Sequence, residues 1–185
     1  MAREFDTKLI LEDGSEYCGY SFGAVTERVC EVVFNTSMAG YQEIVSDPSY
    51  TYQAVVMTYP LIGNYGVNPQ DSETPHPTIG AMIVGEYNPL PSNFRSTRTL
   101  SDWLEEYGIP GLEGIDTRKL ARSIREHGSR LGLITSIGTT KEEAQKNWRI
   151  TASRMTPYRW FRPKRSGFPR QRERRYAGSR QSTAG

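Results

Sequence analysis

The sequence predicts an α+β fold followed by a basic tail, and three observations carry that prediction. Two apolar-rich runs, Lys8–Leu11 and Glu16–Tyr20, flank Asp13-Gly14, a strong short-range signal for a hairpin. Further apolar runs of strand length follow, separated by glycine, proline and asparagine. Beyond residue 98 the pattern changes to helical spacing with recognisable caps.

Taken in order, the hairpin covers Lys8 to Tyr20, and Ser21-Phe-Gly-Ala reads as another turn. Val29 to Phe34 reads as a buried strand, after which Ala39, Gly40 and Tyr41 bend the chain into Glu43-Ile-Val. In Asp47-Pro-Ser-Tyr, Pro48 pre-sets φ for a turn and Asp47 can cap its own backbone. Gln53 to Tyr59 is the next strand, stopped by Pro60. Residues 63–77 are rich in glycine, asparagine and proline and form a long loop, of a kind that often carries function. Thr78 to Val84 resumes as a strand.

Thr99 opens a helix ending at Gly108, with Leu100, Trp103, Leu104 and Tyr107 on one face. Asp116 suits the N-cap of a second, Leu120, Ala121 and Ile124 make its apolar stripe, and Gly128 suits its C-terminal stop. Leu131 to Ile137 is a last strand. Thr140 and Glu143 then form a capping box for a third helix, whose pattern is expected to fail after Trp148.

Charge divides the chain. Residues 1–146 hold 12 Lys and Arg against 20 Asp and Glu, a net of −8, whereas residues 147–185 hold 11 cationic residues against Glu173, a net of +10. The expected boundaries are therefore a domain over 1–146 and an Arg-rich tail over 147–185. The tail lacks the apolar residues needed to offset ordering entropy and is expected to be disordered. No apolar run is long enough to span a bilayer. The N-terminus carries acid where a signal peptide needs an apolar stretch, so a cytoplasmic location is expected.

Two cysteines, Cys18 and Cys30, are too few for a disulfide framework or a structural zinc site. They are expected to be small buried thiols on neighbouring strands. His76 and His127 lie far from them in sequence, so Cys–His catalysis is not expected within these residues. No metal site is expected.

The run Glu31-Val-Val-Phe-Asn-Thr-Ser-Met-Ala-Gly-Tyr-Gln-Glu-Ile, with Asp47-Pro-Ser-Tyr and Thr58-Tyr-Pro-Leu-Ile-Gly-Asn, resembles the small subunit of glutamine-hydrolysing carbamoyl-phosphate synthase. Pro91-Ser-Asn-Phe-Arg, Leu112-Glu-Gly-Ile-Asp-Thr-Arg-Lys-Leu and the hairpin Leu11-Glu-Asp-Gly match in the right order, so the resemblance runs from about Lys8 to about Lys146. It implies an N-terminal domain of β/β/α swivelling type, with mixed, largely antiparallel β-structure and two to three helices. In the family this domain docks on the large synthetase subunit. A second domain, of glutamine amidotransferase type with a Cys-His-Glu arrangement, releases ammonia for carbamoyl phosphate, which feeds pyrimidine and arginine biosynthesis. Only the N-terminal domain is matched, so this chain alone is expected to be inactive. No cofactor is expected on it; ATP and metal are expected on the large subunit.

The resemblance also implies that Ser49 contacts glutamine across the domain cleft, where the residues alone suggest only a turn-closing serine. Asn35, Thr36 and Ser37 are either polar contacts or satisfied turn residues. Tyr41, Gln42 and Glu43 are candidates to face the partner subunit, as are Asn64, Asn93 and Arg95 in their loops. Asp116 to Arg118 reads as a helix cap.

The tail departs from the family. Ten of its 11 cationic residues are arginine, the exception being Lys164, and the change interrupts a helix already begun. A frameshifted reading of a truncated chain is favoured. The alternative is a nucleic-acid-binding protein using this arm through phosphate contacts.

Overall fold

The computed structural model describes the backbone of residues 3–154 and side chains as far as residue 148. It is α+β. Seven strands close into a barrel: β1 (Thr7–Leu11), β2 (Glu16–Gly23), β3 (Arg28–Asn35), β4 (Gln53–Met57), β6 (Ala81–Ile83), β8 (Pro110–Glu113) and β9 (Arg130–Ser136), in the order β1-β2-β8-β6-β4-β3-β9. Four of its seams are antiparallel (β1–β2, β1–β9, β2–β8 and β3–β9), and β3–β4, β4–β6 and β6–β8 are parallel. The two-residue strands β5 (Leu61–Ile62) and β7 (Glu86–Tyr87) pair outside the barrel.

Period-2 alternation sorts the strand residues into two cores. Leu9, Leu11, Cys30, Val32, Ala54, Val56, Ala81, Ile83, Leu112 and Ile134 meet from six strands and fill the barrel, joined by Leu120 and Ile124 of α3 (Thr117–His127). The alternate residues Val55, Met57 and Met82 pack outward under α1 (Tyr41–Ser46) and α2 (Leu100–Glu106), through Tyr41, Ile44, Val45, Leu100, Trp103 and Leu104. A smaller outer cluster sets Ile10 and Leu133 against Ala144 and Trp148 of α4 (Lys141–Arg154).

The caps behave as their chemistry requires. Thr99 Oγ1 accepts from the Asp102 N–H at 3.0 Å, and Asp116 Oδ1 accepts from the Lys119 N–H at 2.9 Å. Thr140 and Glu143 form the reciprocal box, each backbone N–H donating to the other's side chain, at 2.9 and 3.3 Å. Gly128 leaves α3 at φ 88°, a left-handed position that suits glycine.

Four expectations are corrected. Ser21, Phe22 and Gly23 continue β2 because β8 pairs alongside them, Ser21 opposite Leu112, so a non-local partner overrides the turn-like composition. The segment after Gly40, expected to bend into Glu43-Ile-Val, is the six-residue helix α1, entered through Gly40 at φ 79°. With α1 the described α-helices number four. The cysteines are neither neighbours nor both buried: Cys18 is exposed on β2, Cys30 is buried on β3, and β1 and β9 separate those strands in the barrel. Finally, α4 does not lose its course after Trp148 but runs to Arg154. The rest of the expected tail lies outside the described residues. Among the described residues no helix is long and apolar enough to cross a membrane.

Candidate functional site

Strand β3 ends at Asn35, and α1 carries the chain back so that β4 runs parallel beside β3. The return is the turn Asp47-Pro48-Ser49-Tyr50, a short 3-10 turn. Pro48 sits where its missing N–H costs nothing, and Asp47 Oδ1 accepts the Ser49 N–H at 2.8 Å. Thr78 grips both ends of this turn: its hydroxyl donates to the Asp47 carbonyl at 2.7 Å and its carbonyl accepts the Tyr52 N–H at 3.1 Å. Tyr52 takes the chain into β4 at φ 60°, the left-handed region disfavoured for a residue with a side chain.

Ser49 is exposed at the crest of this turn, and its hydroxyl makes no hydrogen bond among the described residues. Its neighbour Tyr50 points the other way: Tyr50 Oη accepts from Asn35 Nδ2 at 3.0 Å. Asn35 Oδ1 takes the Ser37 N–H at 2.7 Å, and its backbone carbonyl takes the Thr58 N–H at 3.1 Å. Asn35 is thus a satisfied turn residue that also ties the end of β3 to the turn bearing Ser49. Thr36 and Ser37 are exposed beside it.

The other candidates gather around the 63–77 loop. Tyr41 is buried, stacked on Tyr65 with ring centroids 4.0 Å apart. It donates its N–H to Tyr65 Oη at 2.7 Å and its hydroxyl to the Gly66 carbonyl at 2.8 Å. Burial pushes its hydroxyl pKa well above the ordinary phenol value. Gln42 is fully buried; its Nε2 donates to the Asn68 carbonyl and to Ser72 Oγ, and its Oε1 accepts the Asn68 N–H at 3.0 Å. These two face inward, so Glu43, half-buried, is the member of that trio with surface to offer.

Asn93 Nδ2 donates to the Tyr65 carbonyl at 3.3 Å while its Oδ1 accepts the Arg95 N–H at 3.0 Å. Arg95 in turn reaches Asp71 at 2.9 Å and Gln70 at 3.0 Å. A hydrogen bond from Asn68, with that of Arg95 and its charge, holds the Asp71 carboxyl below its usual range against an opposing desolvation. Between these pinned residues Phe94 stands 97% exposed. Asn64 is exposed, its backbone carbonyl taking the Ser92 N–H at 2.8 Å. The candidates therefore form two linked groups: Asn35, Ser37 and Ser49 bridged by Tyr50, and Tyr41, Gln42, Asn93 and Arg95 bridged by Tyr65, Asn68 and Asp71. Asp116 is a helix cap, as expected.

None of these bridging residues was legible as such in the sequence. Tyr50, Tyr65 and Asn68 act across loops, and only the turn chemistry of Asp47-Pro48 is local.

Burial pushes the Cys30 thiol up to about 12, with the charge of Arg28 only partly offsetting it. His76 is engaged with Tyr107 Oη at 2.8 Å and His127 with the Ser123 carbonyl at 3.1 Å. No group of three His, Cys, Asp or Glu among the described residues could hold a metal ion.

Comparison with known proteins bears on this arrangement. The family model for the carbamoyl-phosphate synthase small chain, CPSase domain, matches residues 9–134. The chain is 55% identical over 139 residues to the carbamoyl phosphate synthase small chain of Fusobacterium nucleatum subsp. nucleatum, covering 75% of this chain and 39% of that protein. It is 55% identical over 137 residues to that of Bacillus caldolyticus, covering 74% and 38%, and 54% identical over 134 residues to that of Syntrophotalea carbinolica, covering 72% and 36%. The chain thus spans less than half the length of these relatives.

Proposed function

Because the chain belongs to the carbamoyl-phosphate synthase small-chain family, we propose that it acts as the amino-terminal, docking part of a glutamine-dependent carbamoyl-phosphate synthase. In this reading it binds the large subunit and contributes one wall of the cleft that holds glutamine. The chemistry of ammonia release belongs to an amidotransferase domain outside the described residues, and ATP and metal belong to the large subunit. The assembled enzyme works in the cytoplasm and supplies carbamoyl phosphate to pyrimidine and arginine biosynthesis.

The observation that carries this reading is the contrast at the Ser49 turn. Asp47, Tyr50, Thr51 and Thr78 are all committed to internal hydrogen bonds, whereas the Ser49 hydroxyl is exposed and uncommitted. A hydroxyl held on a rigid turn can donate to a carbonyl or accept from an ammonium or amide of an amino-acid ligand. The loop rim adds an interface of suitable character: Phe94 and Met38 are exposed and Arg95 is held in place by Asp71.

Co-expression with a carbamoyl-phosphate synthase large chain tests the docking. A complex that survives size-exclusion chromatography is expected; separate elution of the two chains at micromolar concentration would refute it. The chain alone should release no ammonia from glutamine, and enzyme-like release would overturn the assignment of that chemistry elsewhere.

A further inference from the structure

The turn that carries Ser49 is fixed at three points around one free hydroxyl. Asp47 caps it from within, Thr78 holds its two ends, and Asn35 reaches across from the end of β3 to Tyr50. The Asn35 contact cannot invert, because Oδ1 is already held by the Ser37 N–H and only Nδ2 remains to face Tyr50. The strained backbone of Tyr52 closes the frame, and strain of this kind persists where its surroundings over-determine it.

From this frame we infer that Asn35, through Tyr50, is a positioning residue for the Ser49 hydroxyl, setting how tightly the site takes an amino acid with a side-chain amide. The inference rests on the reading of Ser49 as a glutamine contact. A hydroxyl that must meet a small ligand needs placement to about half an ångström, which a three-residue turn on its own does not guarantee. The Asn35–Tyr50 bond makes the position of that turn depend on the end of β3, so the two parallel strands jointly define it. Removing the bond should leave Ser49 present but less well placed.

The test is a glutamine titration of the isotope-labelled full chain, followed at the Ser49 amide by NMR, with a denaturation midpoint measured for each variant. Tyr50→Phe and Asn35→Ala should each weaken glutamine about threefold to tenfold, the span of one lost hydrogen bond. Outside residues 35–37 and 47–52 the amide fingerprint should be unchanged. Asn35→Asp should recover most of the affinity, since its carboxylate still accepts the Ser37 N–H and can accept the Tyr50 hydroxyl proton instead. If Ser49→Ala weakens glutamine while Tyr50→Phe and Asn35→Ala do not, the positioning role is refuted and the Ser49 contact stands. If affinity falls only in step with the denaturation midpoint, or Asn35→Asp fails to rescue, the pair is merely structural and the inference is refuted. If Ser49→Ala leaves the glutamine affinity unchanged, the Ser49 reading itself fails and this inference with it.

Discussion

Gln42 and Asn68 pair as two peptide groups would. The Gln42 carboxamide donates to the Asn68 carbonyl and accepts the Asn68 N–H at 3.0 Å, so one side chain satisfies both polar groups of a buried backbone unit. That pairing fastens the 63–77 loop to α1 without a strand. Gln42→Ala would strand a buried donor and acceptor at once, and a loss of about 2–3 kcal/mol is expected. Urea denaturation measures the loss, and faster proteolysis within 63–77 should accompany it.

Tyr52 enters β4 in the left-handed region, at φ 60°. A side chain there costs about 1–2 kcal/mol, and glycine, which pays no such cost, gives back part of the gain as unfolded-chain entropy. Tyr52→Gly is therefore expected to stabilise the chain by about 0.5–1 kcal/mol, read as a raised denaturation midpoint. A lowered midpoint would show that contacts of the Tyr52 ring outweigh the strain.

The two cysteines should separate cleanly in alkylation. Cys30 is buried with its thiol pushed up to about 12, while Cys18 is exposed. Brief iodoacetamide treatment of the folded chain near neutral pH should add one carbamidomethyl group, at Cys18, and denaturant should expose the second site. Early labelling of Cys30 in mass spectrometry would contradict the buried placement.

Acid should weaken one clasp of the barrel. The hydrogen bond from Lys8, with the charge of Lys8 and the hydrogen bond and charge of Lys141, lowers the Glu16 carboxyl below its ordinary value of 4.5 against an opposing desolvation. A group whose folded pKa is depressed adds stability above its unfolded pKa and loses it as pH falls through the folded value. The unaltered chain should therefore lose more stability than Glu16→Gln between about pH 5 and pH 3, the range in which such a carboxylate titrates. Equal losses in the two denaturation series would remove Glu16 from the account.

Much of the fold was legible where the signal is local. The Asp13-Gly14 hairpin, the caps at Thr99, Asp116 and Thr140, and strands β3 and β4 all follow from turn, cap and period rules. Strand β8 was not legible, because Pro110 and Gly111 read as turn residues and only pairing with β2 and β6 makes them a strand. Helix α1 has six residues, too few to show a helical period. The placement of Cys18 and Cys30 depended on barrel order, which no local rule supplies. At the site, the Asp47 cap was legible, whereas the Asn35–Tyr50 bond and the Gln42–Asn68 pairing join segments that the sequence keeps apart.

The seam between β1 and β9 joins the ends of the barrel: Thr7 bonds to the Thr135 carbonyl across 128 residues of chain. During synthesis, β1 leaves the ribosome early and waits for its last partner, with one edge unpaired until β9 emerges. Closure across so long a loop is slow, and the waiting edge invites pairing with other nascent chains. Once Ser136 has emerged the last barrel strand is available, and α4, which follows it, then covers Ile10 and Leu133 beside that seam.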